Sequence, residues 1–358
     1  MHVLHVVGAR PNFMKAAPVL RALKADGARQ TLVHTGQHYD ANMSDVFFTE
    51  LGMPAPDVNL EVGSGSHAVQ TANIMARFEP VLMEHNPDVV LVYGDVNSTV
   101  AAALVCSKLS FRVGHVEAGL RSFDRSMPEE INRLLTDQLS DLLFTPSADA
   151  DANLKREGIE AERIHLVGNV MIDSLARLLP AAGQGKNGLP DRYALVTLHR
   201  PSNVDESAKL RKILESLLQI HRHLEVVFPV HPRTRQRIES CGLDVSALHL
   251  LQPLPYVGFL ALQRYAAVVI TDSGGVQEET TYLGVPCLTL RANTERPVTL
   301  TMGTNVLIGD DLRRLQVEVM RIQEGKAKAG SIPPLWDGHA SERIAKVLLQ
   351  REQAMRAC

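Results

Sequence analysis

Cysteine is scarce in this chain of 358 residues, which holds only Cys106, Cys241, Cys287 and Cys358. They form no C-x-x-C pair and no zinc-ligand spacing. A disulfide scaffold and a structural zinc site are therefore not expected, and the thiols read as reduced ones in a cytosolic protein. Aromatic residues make up 4% of the chain, so the core should be mostly aliphatic. No apolar run reaches the length of a membrane span. The run Leu4–Val7 is too short for a signal peptide, and Arg10 follows it closely. A cytoplasmic protein without a membrane partner is expected. Net charge is −3, so no excess of one sign marks a nucleic-acid surface. No H-x-x-x-H pattern suggests a metal, and no G-x-S-x-G elbow suggests a serine hydrolase. No G-x-G-x-x-G fingerprint suggests a nicotinamide cofactor.

What is present is a repeating pattern: a short β-branched run, a polar or glycine turn, then a helical stretch. The first half offers strands over Val3–Val7, Thr31–Thr35, Val89–Tyr93, Arg112–Val116, Leu142–Thr145 and Ile164–Val167. The second half offers Ala194–Leu198, Val226–Val230, Leu248–Leu251, Val268–Thr271 and Cys287–Leu290. Several are almost wholly apolar, as strands covered by helices on both faces must be. Eleven strands exceed one ordinary open sheet. The expectation is an α/β protein of two Rossmann-like doubly wound parallel-sheet domains. They would span 1–170 and 171–340, with a last helix over 341–358. The loose composition of Gly168–Pro190 marks the change-over.

Open parallel sheets bind ligands at the carboxyl ends of their strands. Nearly every such end here carries a charged or imidazole residue, which points to one central cleft between two facing domains. After the first strand, Gly8-Ala-Arg10-Pro11 opens a helix whose free N–H groups, with Arg10 and Lys15, suit a phosphate. Asp272-Ser273-Gly274-Gly275 opens another, with Glu278 and Glu279 placed to accept ribose hydroxyls. A plain helix cap explains Asp272 but not the paired glycines. Asp95 and Glu117 directly end apolar strands of the first half, and with Glu129, which follows Pro128, they would line the first domain's side of the cleft. Carboxylates sharing one site push their pKa values apart, so one can serve as acid and another as base. His199 and His231 end strands in the second half, and Arg200 follows His199.

Taken together, these turns resemble those of the non-hydrolysing UDP-N-acetylglucosamine 2-epimerases. The resemblance rests on Gly8-Ala-Arg-Pro11 with Lys15, Thr35-Gly-Gln-His38, Tyr93-Gly-Asp95, His115-Val-Glu-Ala-Gly-Leu-Arg121 and Pro128-Glu-Glu-Ile-Asn-Arg133. It continues through Gly168-Asn169, Thr197-Leu-His-Arg200, Pro229-Val-His231, Thr271-Asp-Ser-Gly-Gly-Val-Gln-Glu-Glu279 and Thr294-Glu-Arg-Pro297. The resemblance implies a glycosyltransferase-B-like fold, a homodimer, no cofactor and no metal. It implies that Asp95, Glu117 and Glu129 carry acid–base work. It implies that Arg10, Lys15, His199, Ser273, Gly274, Gly275 and Glu279 hold UDP. The last helix would cross back to the first domain.

Three departures bear on the sugar. Gly8-Ala-Arg-Pro-Asn12-Phe13 is closer to the branch that epimerises diacetamido uronic-acid sugars. His199-Arg-Pro-Ser replaces the common H-R-R-E, and Val298 replaces a usual Glu after Pro297. Gln37, His38 and Arg200 match part of a second nucleotide-sugar site of some bacterial members, with Gly65-Ser-His67 where an Arg-Gln pair is usual. The segment Pro253–Phe259 offers Tyr256 or Phe259 as a wall for uracil. Rival readings are a retaining glycosyltransferase of the same fold, a hydrolysing epimerase and an inactive sugar-nucleotide sensor.

Overall fold

The computed structural model describes residues 1–37, 50–183 and 188–357. The chain divides into two compact units. Unit 1 is Met1–Arg177 with Pro334–Cys358, and unit 2 is Leu178–Pro333. Among the described residues, no helix is long and apolar enough to cross a membrane.

Unit 1 holds seven parallel strands: β1 His2–Val7, β2 Arg29–His34, β3 Val58–Asn59, β4 Val89–Tyr93, β5 Val113–Val116, β6 Leu142–Thr145 and β7 Ile164–Leu166. Their order is β3-β2-β1-β4-β5-β6-β7. Unit 2 holds β8 Tyr193–Thr197, β9 Glu225–Pro229, β10 His249–Leu251, β11 Val268–Thr271, β12 Cys287–Thr289 and β13 Asn305–Leu307, ordered β10-β9-β8-β11-β12-β13. All pairings are parallel, including β1 with β4 and β8 with β11. Both are doubly wound sheets whose order reverses once, between β1 and β4 and between β8 and β11. A crevice at the carboxyl ends of the strands opens at such a reversal.

The apolar runs explain the sheets. Every residue of β1 and β4 is buried. Burying a Val or Leu side chain stabilises by about 1.5–3 kcal/mol, and only a sheet covered on both faces buries them all. Two strands escaped sequence reading, β3 and β13. They are two and three residues long, too short to show a period.

The loose stretch expected over Gly168–Pro190 is in part a helix, Val170–Leu178. Its Val170, Ile172, Leu175 and Leu178 are buried. The segment expected as an apolar wall forms the helix Tyr256–Tyr265. The helices Pro232–Ser240 and Leu312–Gln323 were also unforeseen. Leu315 and Val319 face the core on the second of these, while Arg313, Arg314 and Arg321 are exposed together with Val317 and Met320.

The last helix, Ala340–Ala357, belongs to unit 1. Asp173 accepts the N–H groups of Ala340 and Ser341 at 3.1 and 2.7 Å. Trp336, 2% exposed, donates to the Pro146 carbonyl at 2.9 Å. A Cβ on Gly168, whose φ is 90°, would stand 2.1 Å from the Leu335 carbonyl oxygen. Only glycine admits that approach.

Candidate functional site

In unit 1 the turns after β1, β4 and β5 interlock. Arg10 is the first residue of the helix Arg10–Ala25. Its side chain lies outside the described part of the structure. Asn12 closes the turn: its Oδ1 accepts the Gly8 and Ala9 N–H groups, each at 3.1 Å. Its Nδ2 donates to the Tyr93 carbonyl at 2.8 Å. Asn12 is therefore committed to three backbone groups, and a glutamate there could not make the last bond. Lys15 and Glu117 form a buried ion pair. A Cβ on Gly94 would lie 2.7 Å from the Lys15 Nζ, and the φ of 64° at this position is one that favours glycine. Glu117 has a φ of 77°, a conformation that costs a non-glycine residue of order 1–3 kcal/mol and that clusters at functional sites. Its N–H donates to the Phe144 carbonyl at 3.1 Å.

Asp95 pairs with Arg133 Nη1 at 2.6 Å. It lines a hollow of about 240 Å³ together with Gln37, His67, Asn97, Glu129 and Asn132. Glu129 is exposed, in the first turn of the helix Pro128–Leu139. Its neighbour Glu130 is buried and spoken for, with the Ser122 and Phe123 N–H groups and Arg133 as donors. Burial pushes the Glu130 carboxyl up, but those donors and the Arg133 charge hold it below the ordinary glutamate range. Of the two adjacent glutamates, Glu129 is the one that lines the hollow.

Gln37 is buried, and its Oε1 accepts from the Ser98 N–H and hydroxyl at 3.0 and 2.6 Å. His38 lies outside the described residues. The structure thus brings Asp95, Glu129 and Gln37 to one hollow, while Glu117 sits with Lys15. Sequence reasoning missed His67, Asn97 and Asn132 as lining residues. The signal available was that His67 and Asn97 open helices, while Asn132 lies one turn into the helix that carries Glu129.

In unit 2 the buried Asp272 organises the switch point. It accepts the backbone N–H groups of His199 and Arg200 and the Asn203 amide, at 3.0 to 3.2 Å. Its carboxylate also lies 2.9 Å from His199 Nδ1. Burial alone would raise this acid; the bonds from His199, Asn203 and Arg200 and the His199 charge bring it below its ordinary range. The His199 side chain is 59% exposed, so its ring is anchored at one edge and open to solvent elsewhere.

Ser273 stands at the head of the helix Gly274–Leu283 and makes no side-chain cap of its own. A Cβ on Gly274 would meet Arg296 Nη1 at 2.4 Å. Arg296 pairs with Glu278 at 2.8 Å and also with Glu295, which Arg291 holds at 2.6 Å. Gly275 follows in the first turn. Glu279 is fully buried and accepts the Tyr256 hydroxyl at 2.8 Å. Burial, assisted by the neighbouring Glu278, pushes its carboxyl up to about 7. His231 caps its own helix, accepting the Arg233 N–H at 3.4 Å. Arg200 reaches the Asp272 carbonyl at 3.2 Å.

In unit 2 a helix N-terminus beside an imidazole offers N–H groups of the kind that suit a phosphate. In unit 1 the carboxylates on one polar hollow are groups of the kind that can exchange protons with a bound molecule. Among the described residues, no group of three or more His, Cys, Asp and Glu could hold a metal ion. Two doubly wound parallel sheets of this kind define an α/β protein of glycosyltransferase-B-like fold.

The family model of UDP-N-acetylglucosamine 2-epimerase matches residues 21–349. A UDP-N-acetylglucosamine 2-epimerase of Methanocaldococcus jannaschii is 43% identical over 96% of this chain and 97% of that protein. A UDP-2,3-diacetamido-2,3-dideoxy-D-glucuronate 2-epimerase of Pseudomonas aeruginosa is 44% identical over 97% of this chain and 99% of that one. The solved structure of a Methanocaldococcus jannaschii UDP-GlcNAc 2-epimerase, in complex with UDP-GlcNAc and UDP, superposes with a TM-score of 0.90 at 42% identity, covering 98% of this chain and 100% of that chain. The chain belongs to the UDP-N-acetylglucosamine 2-epimerase family. It is an isomerase of the UDP-sugar 2-epimerase class.

Proposed function

We propose that the chain interconverts UDP-N-acetylglucosamine and UDP-N-acetylmannosamine without hydrolysis. The observation that carries this reading is the pair Asp95 and Glu129 on one polar hollow. One carboxylate takes the proton from carbon 2 of the sugar. The bond from carbon 1 to the diphosphate oxygen breaks, UDP leaves with its electron pair, and a double bond forms between carbons 1 and 2. The intermediate is 2-acetamidoglucal. A carboxylate then returns a proton to the opposite face of carbon 2, and UDP re-adds at carbon 1. Atoms and charge balance with no oxidant or reductant.

Asp95, Glu117 and Glu129 are assigned the proton transfers, contributions typically worth about 10²–10⁴-fold in rate. Arg10, Lys15, His199, Ser273, Gly274, Gly275 and Glu279 are assigned to UDP. Fixed donors there stabilise the charge that grows on the diphosphate as it leaves. Support comes from the relatives named for this reaction. The Pseudomonas aeruginosa relative favours a second reading, the same proton chemistry on a UDP-diacetamido uronate. We further propose that two copies pair. On the helix His67–His85, Val69 and Met83 are 55% and 58% exposed. They share one face with Ala72, Ala76 and Pro80, which suits an isologous contact.

Proton NMR in deuterated water tests the reaction. The expected result is loss of the carbon 2 proton signal of UDP-N-acetylglucosamine, with the manno epimer appearing and no free sugar. Asp95→Asn should abolish the exchange and leave UDP affinity within about tenfold. Exchange with the diacetamido uronate alone would select the second reading. Exchange with neither would refute both.

A further inference from the structure

Three successive carbonyls in the turn that presents Asp95 each receive a side-chain donor. Asn12 Nδ2 and Thr99 Oγ1 donate to the Tyr93 oxygen at 2.8 and 2.9 Å. Asn132 Nδ2 donates to the Asp95 oxygen at 2.9 Å. Between them, His115 Nε2 meets the Gly94 oxygen at 2.8 Å.

His115 differs from the other donors because its second nitrogen is also engaged. Nδ1 lies 2.6 Å from Asp137 Oδ1. Both partners are acceptors. A carbonyl oxygen can only accept, and Asp137 is a carboxylate. Burial pushes that acid up, but the charges and hydrogen bonds of His115 and Arg121 hold it below its ordinary range. A neutral imidazole has one donor and one acceptor nitrogen, and only the doubly protonated ring donates from both. In either neutral tautomer, one lone pair would point at a buried oxygen.

Asp137 carries the link onward. Its Oδ2 accepts the Gly119 N–H at 3.1 Å and pairs with Arg121 Nη1 at 2.7 Å. Gly119 lies two residues beyond Glu117. Arg121 in turn forks onto Glu157 at 2.8 and 2.6 Å. His115 and Asp137 are both 0% exposed. Arg121 faces two carboxylates, Asp137 and Glu157, so one cation alone leaves this cluster with an excess of negative charge.

We propose that His115 is a doubly protonated crossbar which, with Asp137, positions the Asp95 turn against the Glu117 turn for epimerisation. The inference rests on the assignment of those two carboxylates to proton transfer. Neither His115 nor Asp137 is a catalytic residue in this scheme. They act through the backbone that aims the carboxylates.

The first test needs no substrate. Nitrogen–proton correlation NMR of the labelled wild-type protein reads both ring nitrogens of His115, assigned by their loss in His115→Gln. Two protonated nitrogens are expected at neutral pH. One bare nitrogen overturns the crossbar, whatever the enzyme turns over. The second test is kinetic. His115→Phe should lower kcat roughly 10–100-fold, as removal of a supporting partner does, and leave UDP affinity unchanged. His115→Gln, which keeps one donor, should recover part of the loss. The double variant His115→Phe with Asp137→Asn should lose no more than the worse single variant. Fully additive losses, or an effect confined to KM, overturn the positioning role. A wild-type enzyme with two protonated nitrogens and no epimerisation would instead refute the functional reading alone.

Discussion

A cation lies beneath each of two glycines. The Lys15 ammonium fills the space below Gly94, and the Arg296 guanidinium the space below Gly274. A side chain at either position would push a buried charge from its place. The residue scale also separates look-alike neighbours. Glu130 and Glu278 are held by arginines, while Glu129 lines the hollow and Glu279 takes the Tyr256 hydroxyl. Glu279 gives a pH prediction. Its carboxyl is raised to about 7 by burial, so folding favours the protonated acid. Stability then falls as pH climbs from the ordinary glutamate range to about 7, and is flat beyond it. If Glu279 holds UDP as proposed, ribose hydroxyls donate to its charged form, so UDP-sugar binding should tighten as pH rises through about 7 and then level off. Calorimetry in two buffers should find a proton released on binding, and Glu279→Gln should flatten the profile. A flat wild-type profile would take Glu279 out of ligand binding.

At the scale of elements, the strand-end turns were legible because each follows an apolar run and opens a helix. Asp95, Glu117, His199 and Asp272 were all found this way. Asn12 was read differently in the sequence, as a mark of a particular sugar. In the structure it ties the β1 turn to the β4 turn through three backbone groups, which accounts for an amide there without reference to the sugar. The helix Val170–Leu178 was hidden by the glycine-rich residues beyond it. That helix carries Asp173, the acceptor for the head of the last helix. Asp173→Ala should cost about 1–3 kcal/mol, since two N–H groups lose a buried partner. Urea unfolding should show it as a lower midpoint, with Asp173→Asn in between. An unchanged midpoint would mean that the last helix is held by its apolar contacts alone.

On the scale of the whole molecule, each unit repeats one plan: a sheet that reverses order once, with the charged turns at the reversal. The proposed pairing of two copies is tested at this scale. Met83→Glu with Val69→Glu should leave a monomer by light scattering if these side chains meet across a two-fold axis. A dimer that survives both would place the contact elsewhere. The sequence by itself determined the class of fold, because wholly apolar β-branched runs separated by helices can be buried only in covered parallel sheets. It also determined which charged turns stand at the strand ends, where ligands meet such sheets. Tertiary structure alone decided which carboxylate of each adjacent pair is committed to an arginine. It alone decided that His115 spans two turns. Those outcomes depend on partners brought together by strand order and packing, across separations that no local period records.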